Sequence, residues 1–182
     1  MTENPQDPSS NLAPDEKSTP VMVYTSNGLA WGHLVTKKTI LPERILIGAT
    51  LPDFITLNNA QLSFSHGNAL TKPIKYTELH IPFWSIHGYH LMPPHKAQLD
   101  YDPSEQNRIM APITIHVGAF LFLANFRIAT QASIKTILDV AKADFLVVYD
   151  AEISHPGNQN MKPIQVNFAL VNRTSSIFGE AS

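Results

Sequence analysis

The 182-residue chain has no cysteine, which excludes disulfides, thiolate metal sites and cysteine nucleophiles. Charge is scarce: Asp, Glu, Lys and Arg make up 15% of the residues, below the roughly 25% usual for soluble proteins. The formal net charge of -2 argues against a strong electrostatic grip on nucleic acid, which needs a basic patch. No two of the eight glycines stand as G-x-G, so the phosphate-cradling glycine motifs are missing. The H-E-x-x-H metal helix and the nucleophile elbow are absent as well. The longest apolar stretch, residues 113–126, is broken by His116 and Asn125 and falls short of the ~20 residues that span a bilayer. The start has no basic segment leading into an apolar run, as a secretory signal would, so the expected location is cytoplasmic.

What the chain does have is apolar material, 43% of its residues, enough for a core. The exception is the segment 1–20, which holds four prolines, and whose only base, Lys17, faces Glu3, Asp7, Asp15 and Glu16. It reads as a solvated, disordered tail, since so little burial cannot offset the entropy of ordering it.

The remainder repeats itself. Ser65-His66-Gly67-Asn68 followed by Lys72-Pro73-Ile74 returns as Ser154-His155-Pro156-Gly157-Asn158 followed by Lys162-Pro163-Ile164. Asp53-Phe54 matches Asp144-Phe145, Ala60 matches Ala151, and Ser85-Ile86-His87-Gly88 matches Ser176-Ile177-Phe178-Gly179. An ordered series at an offset of about 90 residues is the signature of a duplication. Two β-rich copies are expected, 21–92 and 112–182, joined by a polar linker, 93–111, that opens on Pro93-Pro94.

In copy one, Ser26-Asn27-Gly28 between apolar runs predicts a hairpin whose turn uses positive φ. A short helix is expected from Pro42 to Gly48, then strands over 53–64, 73–81 and 83–91. In copy two, a hairpin turns at Gly118, and Ile134, Ile137, Leu138 and Ala141 recur at helical spacing within 133–142. Strands over 145–153, 163–171 and 174–178 follow. The expected fold is mainly β (α+β): two tandem ββαββ repeats forming small, half-open β-barrel-like units packed together. The unbroken apolar runs 120–123 and 145–148 predict strands covered on both faces, with copy two at the buried centre.

The hairpin Asn27-Gly28-Leu29 to Gly32-His33-Leu34, followed by Phe54-Ile55-Thr56-Leu57-Asn58-Asn59-Ala60, resembles the Sm-like RNA-binding family of small five-stranded barrels. The chain is also similar to small bacterial β-domain proteins with no assigned activity. The Sm-like resemblance implies a barrel fold for most of each copy. It departs from that family where RNA is bound. The pocket asparagine falls on Phe54 and Phe145, and the later Arg-Gly pair on His87-Gly88 and Phe178-Gly179.

Three groups of residues are candidates for function. Phe83, Trp84, Tyr89 and Met92 form an aromatic-rich stretch suited to a protein contact or to self-association. His66, Asn68, His155 and Asn158 occupy matched loops that the duplication could bring to one place, although turn chemistry alone also explains them. His80, His87 and His90 are possible metal ligands, opposed by strand geometry, which sends residues three apart to opposite faces. The favoured reading is a non-enzymatic binding or assembly module without cofactor. The alternatives are a single-stranded nucleic-acid binder using Lys37, Lys38, Arg44, Lys72 and Lys75, or a histidine metal protein.

Overall fold

The computed structural model describes residues 12–48, 51–158 and 161–180. The first half contributes β1 (Glu16–Tyr24), β2 (Gly28–Lys37), β3 (Phe54–His66), the two-residue β4 (Ala69–Leu70), β5 (Ile74–Pro82) and β6 (Gly88–Leu91). The second contributes β7 (Arg108–Val117), β8 (Phe120–Ala129), the helix α1 (Ile134–Val140), β9 (Phe145–Ser154), β10 (Ile164–Asn172) and β11 (Ser176–Gly179). Among the described residues these strands form one antiparallel 11-stranded sheet, ordered β11-β7-β8-β9-β10-β6-β1-β2-β3-β4, with β5 beside β4 on the same edge of β3. The sheet is open. No helix among the described residues is long and apolar enough to cross a membrane.

Each half orders its main strands alike, β6-β1-β2-β3-β5 and β11-β7-β8-β9-β10. The ββαββ label undercounts each half by one, since β6 and β11, within the strands expected over 83–91 and 174–178, each make a fifth. Both third strands bulge at matching places. Pairing slips between Trp31 and His33 opposite β3, and between Leu123 and Asn125 opposite β9. The extra residue is Asn59 (φ 47°) in one and Asp150 (φ 48°) in the other, the residue types that best tolerate a left-handed backbone. Strand pairing also shifts one sequence match. Gly88 pairs with Tyr24 in β1, and the residue in its place in the second half is Ile177, opposite His116. The match of residues 85–88 with 176–179 thus lies two residues out of register.

Two cores form, one on each side of the central strands. Val21 and Val23 of β1 face one, Met22 and Tyr24 the other. On β10, Phe168 and Leu170 face the first, Ala169 and Val171 the second. Strands buried on both faces read as continuous apolar runs, as 145–148 does. The run 120–123 does not follow this rule. Phe120 and Phe122 are buried while Leu123 is exposed, because β8 has a core on one face only. Nor is copy two a centre covered by copy one. The wall is shared, β9 and β10 from one half and β6 and β1 from the other.

Other expectations shift locally. β1 starts at Glu16, inside the segment read as a tail, because its residues pair with β2 as far as Lys37. Residues 1–11 lie outside the described residues. The helix expected from Pro42 shrinks to a 3-10 turn, Pro42–Arg44, whereas α1 forms and is capped by the Ser133 hydroxyl, which accepts from Thr136 N. The first hairpin closes by Thr25 N donating to Gly28 O at 2.9 Å, and neither Asn27 nor Gly28 has positive φ. β7 takes the last four residues of the expected linker.

Candidate functional site

The structure separates the proposed contact residues. Tyr89 is fully buried and its hydroxyl donates to Pro42 O at 2.7 Å, so it belongs to the core and not to a contact surface. Phe83 is half-buried and packs edge-on against Phe145, ring centroids 5.4 Å apart, joining the two halves. Met92 is half-buried against the second core. Trp84 alone turns outward, at 78% exposure. It stands in a 3-10 turn, Phe83–Ser85, that Phe83 N fastens to Asp53 O at 2.9 Å. The neighbour of Asp53, Phe54, is paired with Pro82 and is 54% exposed. Trp84, Pro82 and Phe54 thus make an apolar corner where β3 and β5 meet.

The histidines named as metal ligands are not brought together. His90 is buried, its Nδ1 hydrogen donating to Leu91 O at 2.8 Å and its Nε2 accepting from the Tyr24 hydroxyl at 2.9 Å. Both nitrogens are engaged, and burial, opposed by the Leu91 carbonyl, lowers its pKa to about 4. The same burial raises the pKa of Tyr24, so the pair is neutral throughout ordinary pH. His80 lies exposed on β5 beside Thr56 Oγ1, 2.9 Å from its Nδ1. His87 precedes β6, its pKa lowered by burial. Among the described residues no group of three His, Asp or Glu could hold a metal ion.

The matched loops do meet. Ser65 Oγ and His155 Nε2 are hydrogen-bonded at 2.9 Å, and His155 stands edge-on to Phe120. Gly157 lies so close to the other loop that a Cβ there would be 3.1 Å from Asn68 Cα. His66, the counterpart of His155, is exposed. A serine beside a histidine invites comparison with a nucleophile and its base. That chemistry needs an acceptor to orient the second ring nitrogen, and His155 Nδ1 is buried with no hydrogen-bond partner. The arrangement fastens β3 to the end of β9.

The basic residues considered for nucleic acid are largely committed within the chain. Lys37 lies 3.6 Å from Asp15, Lys38 Nζ donates to Pro14 O at 2.8 Å, and Arg44 lies 3.4 Å from Asp100. Lys72 and Lys75 are exposed on the β5 side.

The linker holds a cluster that the sequence reading missed. Ala97 N donates to Asn167 Oδ1 at 3.1 Å while Asn167 Nδ2 donates to Ala97 O at 2.8 Å. Gln98 N donates to the buried Glu43 at 3.2 Å, and the Tyr149 hydroxyl donates to Asp100 at 2.6 Å. Arg127 lies over the Tyr101 ring at 4.5 Å and is paired with Glu105. The linker is thereby strapped across both halves. The available signal was Tyr101, an aromatic in a segment rich in polar residues.

Compared with protein-family models, with curated proteins and with solved structures, the chain matches none.

Proposed function

We propose that the chain is a non-enzymatic binding module, made by fusing two copies of one small, half-open barrel-like unit, and that it grips a protein partner through the corner of Trp84 and Phe54. The exposure of Trp84 carries this reading. Trp is among the residues most often found at the energetic centre of protein contacts, and most of its indole is here left to solvent. The side chains with chemical potential are spent on structure: His90 on Tyr24, His155 on Ser65, and Arg44 and Tyr149 on Asp100. The matching strand orders and the matching bulges at Asn59 and Asp150 support the duplication. The five-residue connection from β5 to β6, residues 83–87, is short enough to oblige the first half to curl toward itself. The test is capture from an extract of the source cells by wild type and Trp84→Ala, both full length. The reading expects a partner that is retained by wild type and lost by the variant. An identical set of captured proteins would overturn it.

A further inference from the structure

The two halves are held together by a strand pair, β10 with β6, in which Leu170 faces Tyr89, Val171 faces Gly88, and Asn172 N donates to His87 O at 2.8 Å. β10 is the fourth main strand of its half and β6 the fifth of the other. The strands of the same two kinds, β5 and β11, are left at the outer edges of the sheet. Edges of this kind are complementary in principle. The β5 edge of one molecule could receive the β11 edge of a second, repeat the internal joint, and so on without limit.

We propose that this sequence blocks that continuation, so that the second copy of the chain is a partner its outer edges are built to refuse. The inference rests on the duplication reading above and is carried by the residues that cross the joint. Met22 and Tyr24 of the first half sit in the core of the second. Tyr149, Phe168 and Leu170 of the second sit in the core of the first. Strand register fixes the residue that holds each place at an outer edge. Tyr24 faces Leu29 as His116 faces Leu121, and Met22 faces Trp31 as Thr114 faces Leu123. Phe168 faces Tyr149 as Glu78 faces Asn58, each pair just before its bulge, and two residues along β10 and β5 this sets Leu170 against His80. Five large apolar or aromatic residues of the joint are thus Thr114, His116, Asn58, Glu78 and His80 at the edges.

The backbone is altered too. Asn172, whose N–H closes the joint, is matched by Pro82, which has no N–H to give. A second copy docking there would have to bury Glu78 and the imidazole of His80, 3.8 Å from it, and would lose one strand hydrogen bond, two of the devices by which sheet edges avoid pairing. Phe54 is the exception that shows the ancestry. It holds the place of the buried Phe145 and lies exposed because nothing corresponding to Phe83 covers it.

Light scattering coupled to size exclusion tests this on the full chain. Wild type is expected at its monomer mass of 20.2 kDa at every loading concentration. One variant restores the β5 edge (Glu78→Phe, His80→Leu, Pro82→Asn), and a second restores the other edge (Thr114→Met, His116→Tyr). All altered positions are partly or fully exposed, and circular dichroism checks that both variants fold. Mixed together they are expected to form a 1:1 complex of roughly 40 kDa and to stop there, since a head-to-tail joint uses one restored edge from each molecule. A wild type that is already dimeric or larger would overturn the block. A mixture of folded variants that stays monomeric, or a variant that dimerises equally well alone, would overturn the register on which the duplication was drawn. None of these outcomes bears on Trp84, whose role is read by capture.

Discussion

His90 makes the stability of this protein depend on pH in a window where few other groups act. In the unfolded chain it binds a proton near the ordinary 6.5; in the folded protein, buried between Tyr24 and the Leu91 carbonyl, it does so only at about 4. Between these values the unfolded state carries more protons, so stability rises with pH. The contribution is fully present above 6.5 and is lost as the pH falls toward 4. From pH 7 to pH 5 the loss is about 2 kcal/mol. For a urea transition with a slope of 1–3 kcal/mol/M, the midpoint should fall by about 1 M. Asp102 and Glu105, held below the usual carboxylate range by Ser104 and Arg127, begin to act only at lower pH, so the window is clean on that side. His87 adds in the same direction, because burial lowers its pKa too. The control is His90→Gln, whose amide cannot titrate; its midpoint should change much less between the two pH values. Equal losses in wild type and variant would refute the assignment. So would a nuclear magnetic resonance titration of the His90 ring with its midpoint above 6.

Substitutions at four positions probe the backbone and the corner. Gly118→Ala places a Cβ 2.3 Å from Thr25 O at a φ of +58°, whereas Gly67→Ala meets nothing within 4 Å at a φ of +57°. The first should cost roughly 3 kcal/mol or more and the second about 1, the bare left-handed penalty, as read from thermal melts of the two side by side. Asp150→Gly should be neutral or slightly stabilising, while Asp150→Ala lowers the melting temperature by about 2–4 °C, since the bulge needs positive φ and the side chain is exposed. Trp84→Ala should leave the denaturation midpoint within about 0.5 kcal/mol of wild type, because so little of the indole is covered. A large loss there would make Trp84 a packing residue and undercut its place at a contact.

Much of the strand content was legible because local chemistry sets it. The Gly118 turn and the spacing of Ile134, Ile137 and Leu138 each act within a few residues, and the elements lie where those signals put them. The failures have one physical source, long-range pairing. Asn27-Gly28 has the composition of a left-handed turn, yet the left-handed residues sit at Asn59 and Asp150, where a third strand must bulge to stay in register with its neighbour. Phe120-Leu121-Phe122-Leu123 and Phe145-Leu146-Val147-Val148 look alike in hydrophobicity. Only the strand order, with β9 inside and β8 nearer an edge, determines which run is covered on both faces.

The site residues were harder to read for a related reason. The sequence matches draw the eye to what the two halves share, here Ser, His, Gly and Asn in one loop and Lys-Pro-Ile after it. The shared glycines and Lys-Pro pairs serve turns and strand entrances, while Ser65 and His155 tie one half to the other. The residues that cross the joint are ones by which the two halves differ: Tyr24 fills a core where His116 is exposed, and Phe168 is buried where Glu78 is not. Each difference lies at the joint or at the edge that corresponds to it. Two halves with identical surfaces would add further copies as readily as they hold each other, so a closed pair requires them to diverge at those positions and permits them to agree elsewhere. Divergence between the two halves, read against strand register, is therefore a better guide to how such halves meet than their agreement.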